Sequence, residues 1–444
     1  MESGDWSVIP NEKTGKIGRV HMSFFTVSPA LEELSRQAER TAREAFDRIE
    51  QITEYNQQKV LAAFIDHHVS ESHFVPTTGY GYGDRGRDTL DQVFAQTMGA
   101  EDALVRHSIL SGTHAITIAL FGVLRPGDTL LAATGAPYDT LEQVIGIHGQ
   151  PAGSLRDYGI AYRQVDLTEQ GLPDSAGIRT ALQEDPSIRV VHIQRSRGYN
   201  LRPSLSVERI GGMIQTIKSV RSDVIVFVDN CYGEFVEKQE PTAVGADLMA
   251  GSLIKNPGGG IAENGGYICG RADLVELCSY RMTTPGLGRE VGASLGHNRT
   301  LYMGLFHAPH VVGEALKTAV YAAALFEQLG YAVTPGSQEV RADIIQAVCL
   351  KNTDALIAFC QGMQRGAPID SFVVPEPWDM PGYENPVIMA AGAFTMGASI
   401  ELSADAPIRE PYAAYMQGGL NYHSGKVGVL LAAQSMFEKG IFQL

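Results

Sequence analysis

The sequence predicts an α/β chain: a mostly parallel sheet covered by helices, followed by a smaller α+β domain. Three observations carry this. Short apolar segments alternate with amphipathic ones through the first half of the chain. Two of them, "RVVHIQ" and "DVIVFVD", are continuous apolar runs, as expected of strands buried on both faces. After Pro309 the texture changes to one long helical stretch, short strand-like pieces and a further helix.

The elements follow in order. Residues 1–27 are polar and irregular, with a second methionine at Met22, and read as an extension or tag-like arm outside the fold. Residues 28–70 form an N-terminal helical segment, because "SPALEELSRQAERTAREAFDRIEQITEYNQQKVLAAF" repeats apolar residues at three and four. Ser28 followed by Pro29 suits an N-cap and a first helical position. Within the large domain, 71–309, "ALVRHSI" is a strand and "GTHAITIALFGVL" a helix. "DTLLAA" is a strand and "DTLEQVIGIHG" a helix, and "SVERIGGMIQTIKSVR" is the helix between the two buried runs. Residues 310–444 make the small domain, with "HVVGEALKTAVYAAALFEQLG" and "KNTDALIAFCQGMQ" helical and "YAVTP" and "ADIIQAVCL" between them.

At 444 residues the chain has room for two or three sizeable cores. A net charge of −15, from 50 acidic and 35 basic residues, argues against nucleic acid and against an anionic membrane surface. No apolar run is long enough to span a bilayer, and no signal peptide is recognisable. Cys231, Cys269, Cys278, Cys349 and Cys360 are scattered, without a CxxC pair, which favours a reducing cytoplasm over a disulfide framework. His67, His68 and His73, beside Asp66, match no metal-site spacing, so no metal is expected.

The chemistry centres on "DLMAGSLIKNPGGG", Asp247 to Gly260. An apolar segment rises to Lys255 and collapses into a glycine-rich turn, although a lysine there must be solvated or paired. Upstream, Asp229 closes the strand "DVIVFVD", and ligand groups in α/β sheets gather at strand carboxyl ends. A carboxylate and a lysine at one sheet edge are the pair required by pyridoxal 5′-phosphate (PLP). The lysine joins covalently to the cofactor, and the carboxylate keeps the pyridine nitrogen protonated. A phosphate cradle is offered by Ser111, Gly112 and Thr113, where a turn opens a helix, with Ser252 as a further hydroxyl. Tyr138, between a strand and a helix in "GAPYDT", is placed to stack on the ring and move protons.

The ordered set "GYGYGDRGRD", "AEDALVRHSILSGTHAI", "GAPYDT", "VDNCYGEF", "GSLIKNPGGG" and "ELSADAPIREPY" resembles the aluminium-resistance or methionine gamma-lyase-like family, in the cystathionine-metabolism class of fold-type I PLP enzymes. The resemblance runs from about Ser28 to the C-terminus and implies a seven-stranded type of sheet. It implies that Lys255 carries the cofactor, Asp229 is the pyridinium partner, Tyr138 stacks, and Gly112, Thr113 and Ser252 hold the phosphate. It also implies that Tyr82 reaches a neighbouring subunit's phosphate, in a homodimer or a dimer of dimers. Asp84 stands where that family has an arginine, leaving Arg85 or Arg87 to substitute. Arg409 is the candidate clamp for a substrate α-carboxylate, and Gln194, Ser196 or Arg197 for the ring hydroxyl. The glycine-rich Thr283–Gly296 stretch is a loop near the cofactor or at a dimer contact, not a dinucleotide fingerprint.

The expected activity is carbon–sulfur lysis: β- or γ-elimination on an amino acid of the cystathionine, methionine or cysteine type, giving a 2-oxo acid, ammonia and a thiol. The rivals are an aminotransferase or γ-replacement enzyme, a non-catalytic PLP-binding protein, and a nucleotide-binding α/β protein, the last disfavoured by the lack of a Walker motif.

Overall fold

The structure, a computed structural model, describes residues 24–148, 152–380 and 385–444. Most of the expected N-terminal arm, residues 1–23, lies outside them. Helix α1 (Pro29–Asp66) starts where the sequence predicts, with Ser28 Oγ accepting from the Leu31 N–H at 3.3 Å. There follow α2 (Arg85–Met98), β1 (Asp102–Arg106), α3 (Gly112–Val123), β2 (Thr129–Ala132), α4 (Asp139–Ile145), β3 (Ala161–Gln164), α5 (Ser175–Glu184), β4 (Ile188–Gln194), α6 (Val207–Val220), β5 (Ile225–Asp229), β6 (Leu248–Ser252), β7 (Gly266–Gly270) and α7 (Ala272–Met282). The remainder is α8 (Asn298–Gln328), β8 (Ala332–Thr334), β9 (Gln346–Cys349), α9 (Thr353–Arg365), β10 (Val387–Ala390), β11 (Ser403–Pro407), β12 (Ala413–Gln417) and α10 (Tyr422–Glu438).

Strands β1 to β7 form one sheet in the order β1-β7-β6-β5-β4-β2-β3. It is parallel except for β7, which runs antiparallel to both β1 and β6. The continuous apolar runs have the predicted cause. In β5, Ile225 and Phe227 enter the core beneath α3 and α7, while Val226 and Val228 enter the core on the opposite face. The second sheet, β10-β11-β12-β9-β8, is wholly antiparallel. Its alternation is sharp: Ala404, Ala406, Ala414 and Met416 point into the main core, and Asp405, Tyr415 and Gln417 point the other way, into a cleft. Pro309 lies inside α8, so the chain passes from the large sheet to the small one within a single helix. Among the described residues no helix is long and apolar enough to cross a membrane.

Candidate active site

Because β4, β5 and β6 run parallel and adjacent, their last residues, Gln194, Asp229 and Ser252, arrive at one edge of the sheet. Helix α3 starts at that edge. Its N-cap, Ser111, accepts from the His114 N–H at 3.1 Å. A Cβ at Gly112 would meet Cys231 Sγ at 3.0 Å and Ser252 Cβ at 3.5 Å, so only glycine lets the helix start press onto the end of β6. The cleft between the two sheets collects Ser111, Gly112, Thr113, Tyr138, Asp229, Ser252 and Lys255, seven of the ten predicted site residues.

In the glycine-rich turn after Lys255, Asn256 is fully buried and donates to the Glu234 carbonyl at 3.0 Å, and a Cβ at Gly258 would strike the Leu253 carbonyl oxygen. The turn therefore folds back under the lysine and directs its Nζ into the cleft. There Nζ sits 3.9 Å from the centroid of the Tyr232 ring. Tyr232 has a φ of 73°, a left-handed conformation costly for an aromatic residue and typical of functional sites. Burial works against the Lys255 ammonium, but Cys231, Tyr232 and Asp229 together hold its pKa above the ordinary lysine value. Burial drives the pKa of the Cys231 thiol well up. Asp229 accepts from the Cys231 N–H at 3.1 Å and makes no ion pair among the described residues.

These residues fit PLP. The first N–H groups of α3 have no partner within the helix, and Ser252 Oγ is buried with no partner at all, as an anionic phosphate requires. Asp229 supplies a negative charge for a cationic ring nitrogen. Lys255 is the only lysine among the lining residues. Of the candidates for the ring hydroxyl, Gln194 and Ser196 line the cleft, and Gln194 Oε1 is buried and unpartnered. Arg197 instead donates to the Thr334 carbonyl at 2.8 Å.

Tyr82, Arg87 and Arg409 do not line the cleft of their own chain. Asp84 caps α2, accepting from the Arg87 N–H at 2.9 Å, and also bonds Thr77 and Asn298. The guanidinium of Arg87 donates to the carbonyls of Gly81 and Gly292, each at 3.0 Å. It thereby ties the loop before α2 to the glycine-rich Thr283–Gly296 stretch, where Gly292 N–H also donates to Tyr80 at 2.9 Å. Tyr80 and Tyr82 stack at 5.5 Å on the exposed side of this loop, and Arg85 beside them is exposed. Arg409 is exposed just beyond β11. Burial pushes the Tyr415 hydroxyl up to about 12, and the Arg409 guanidinium is near enough to pull it back down.

Sequence reasoning missed Tyr199, Cys231, Tyr232, Asp405, Tyr415 and Gln417, all of which line the cleft. The available signal was a charged residue inside the strand run "SADAP". It also missed Glu234, fully buried below the site. Glu234 Oε1 accepts from the Tyr267 hydroxyl at 2.7 Å, Oε2 has no partner, and burial pushes its pKa up to about 8. Unfolded, this group titrates near its ordinary 4.5. Between pH 4.5 and about 8 the native state thus holds a proton that the unfolded chain lacks, and stability falls as pH rises through that window. Glu234→Gln is expected to melt a few degrees above the wild type at pH 8.5, with the gain vanishing near pH 5. Parallel melting curves across that range would show that Glu234 is ionised in the fold.

The chain is 54% identical to the Bacillus subtilis protein YnbB over 392 residues, which are 88% of this chain and 93% of that protein. L-methionine gamma-lyase of Pseudomonas putida is 27% identical over 229 residues, 51% of this chain and 50% of that enzyme. A solved carbon–sulfur lyase involved in aluminum resistance, from Clostridium novyi NT, superposes with a TM-score of 0.89 at 51% identity, covering 92% of this chain and 96% of that one. The pyridoxal-5′-phosphate-dependent protein YhfS of Escherichia coli shares the fold, with a TM-score of 0.59 at 18% identity over 88% of this chain and 97% of that one. Residues 31–437 match the family model described as methionine gamma-lyase, and the chain belongs to that family of PLP-dependent carbon–sulfur lyases.

Proposed function

We propose that the enzyme expels a thiol from Cβ or Cγ of a sulfur amino acid, leaving a 2-oxo acid and ammonia. The observation that carries this reading is the meeting of Lys255 and Asp229 with the unpartnered Ser252 Oγ at the start of α3. PLP, when bound, supplies an electron sink for charge developing at the substrate Cα. Ser111, Gly112, Thr113 and Ser252 hold its phosphate, Tyr138 packs on its ring, and Asp229 keeps the ring nitrogen protonated. Lys255 Nζ takes the proton from Cα, and the ammonium so formed rests over the face of Tyr232. Tyr199 and Tyr415 wall the cleft and restrict water. Incubation with L-cystathionine, L-methionine and L-cysteine, followed by assays for 2-oxo acid and for thiol or sulfide, tests the reading. A PLP-loaded enzyme that releases neither product from any of the three would sink it.

Arg409 is our candidate for the α-carboxylate clamp. Its guanidinium has no hydrogen-bond or ion-pair partner among the described residues and lies near Tyr415 at the cleft. Arg409→Ala is expected to raise KM about tenfold with kcat within about threefold, because a binding contact is lost and no proton-transfer group. An unchanged KM across several amino acids moves the clamp elsewhere.

We further propose a two-fold dimer in which the exposed Tyr82 and Arg85 complete the partner's phosphate site. Arg87, already committed to Gly81 and Gly292, is the weaker of the two arginine candidates. Mixing Lys255→Ala chains with Arg85→Ala chains is expected to restore activity in heterodimers, since one of their two sites is then intact. A monomer by light scattering that still turns over substrate excludes a shared site.

A further inference from the structure

Asp405 lines the cleft from the small sheet and is 92% buried, on a face it shares with Ile345, Tyr199, Tyr415 and Gln417. Oδ2 accepts from the Tyr199 hydroxyl at 3.1 Å and from Gln417 Nε2 at 3.2 Å. The Tyr199 carbonyl in turn accepts from the Tyr415 hydroxyl at 2.8 Å, and Tyr415 is the cross-strand neighbour of Asp405 in the β11–β12 ladder. The carboxylate is thus held rigidly by one oxygen. Among the described residues Oδ1 has no hydrogen bond and Asp405 makes no ion pair.

A carboxylate removed from water and left without a cation is costly. Burial accordingly raises the pKa of Asp405, against the pull of Gln417, Tyr199 and the Lys255 charge. That one nearby cation lies over the face of Tyr232 and makes no ion pair with Asp405. The α-amine of an amino-acid substrate is committed to the reacting centre, and its α-carboxylate is repelled by Asp405. A second ammonium on the substrate would supply the missing cation.

We propose that Asp405 is a specificity residue that receives an ammonium on the far side of the substrate's sulfur, so that the preferred substrate class is a diamino-dicarboxylic thioether or disulfide and not an S-alkyl amino acid. This deepens the lyase reading given above and rests on it for the word substrate, but its test does not require cleavage. The probes are diaminosuberate, the carbon analogue of cystathionine, and aminosuberate, which lacks only the distal amine. By calorimetry the PLP-loaded wild type is expected to bind the diamine about thirtyfold more tightly. Asp405→Asn keeps an acceptor for Tyr199 and Gln417. It is expected to bring that ratio to within about threefold, leaving aminosuberate affinity within about threefold of the wild type. In turnover, kcat/KM of the variant should fall about thirtyfold for L-cystathionine and less than about threefold for S-propylcysteine.

A wild-type ratio near one overturns the proposal whatever the variant does, so a variant that fails to fold does not protect it. Equal losses for both ligands overturn it too, because Asp405 would then only brace Tyr199 and Gln417. A thirtyfold ratio in an enzyme that cleaves no carbon–sulfur bond would uphold Asp405 and remove the lyase reading. Cleavage without the ratio would do the reverse.

Discussion

Lys255→Ala is expected to lose about a thousandfold or more in turnover while keeping its fold. The size follows from removing the group proposed to take the Cα proton, a role worth about 10²–10⁴-fold by itself, together with the proposed covalent attachment of the cofactor. Among the described residues no other lysine lines the cleft to take over. The fold should survive because the turn after Lys255 is held by Asn256 donating to the Glu234 carbonyl and by the close approach of Gly258 to Leu253, neither of which needs the lysine side chain. PLP is still expected to bind, through the start of α3, Ser252 and Asp229, but reversibly. Borohydride treatment of the wild type should fix the cofactor on the Lys255 peptide and abolish the near-visible absorbance. The variant should yield free cofactor and no labelled peptide. A label on another lysine, or turnover within tenfold of the wild type, would remove Lys255 from the role.

The large sheet and its half of the cleft could be read from the sequence because their signals are local. A buried parallel strand writes its two-sided burial as an unbroken apolar run, and its terminal polar residue stands out, as Asp229 does after "VIVFV". Strand β7 has no such signature. Its "GYICG" is short and bounded by glycines, and its antiparallel direction depends on the turn after Lys255 replacing a helical crossover. The far wall was hidden for a different reason. Asp405, Tyr415 and Gln417 belong to a strand pair whose other face feeds the core, so their alternation marks an exposed face as readily as a cleft. Only the docking of the small sheet over the large one turns that face inward. Asp84 shows the limit of reading by resemblance. It occupies a position where an arginine is expected, yet it caps α2 and anchors Thr77 and Asn298, roles in which an arginine could not accept those hydrogen bonds.

Asp229→Asn is expected to retain PLP and lose on the order of a hundred- to a thousandfold in kcat, the range seen when one preorganised electrostatic contact is removed. The amide has nearly the same shape and can still accept from the Cys231 N–H that now meets Asp229 at 3.1 Å, so the end of β5 should hold its place. What it lacks is charge. In the native protein Asp229 is buried, makes no ion pair among the described residues, and has at its side a histidine that cannot neutralise it. That residue, His192, is buried on β4 with its pKa depressed to about 4 by burial, so it is uncharged wherever the enzyme is assayed near neutrality. On the proposed reading this buried carboxylate would face the ring nitrogen and favour its protonated form. With asparagine there, the nitrogen would be expected to lose its proton and the electron sink to weaken, with phosphate binding unchanged. The expected result is a variant with wild-type melting behaviour, nearly full cofactor content, a shifted pH dependence of the cofactor absorbance and a kcat lower by that factor. Turnover within threefold of the wild type would show that the ring nitrogen is not governed by Asp229.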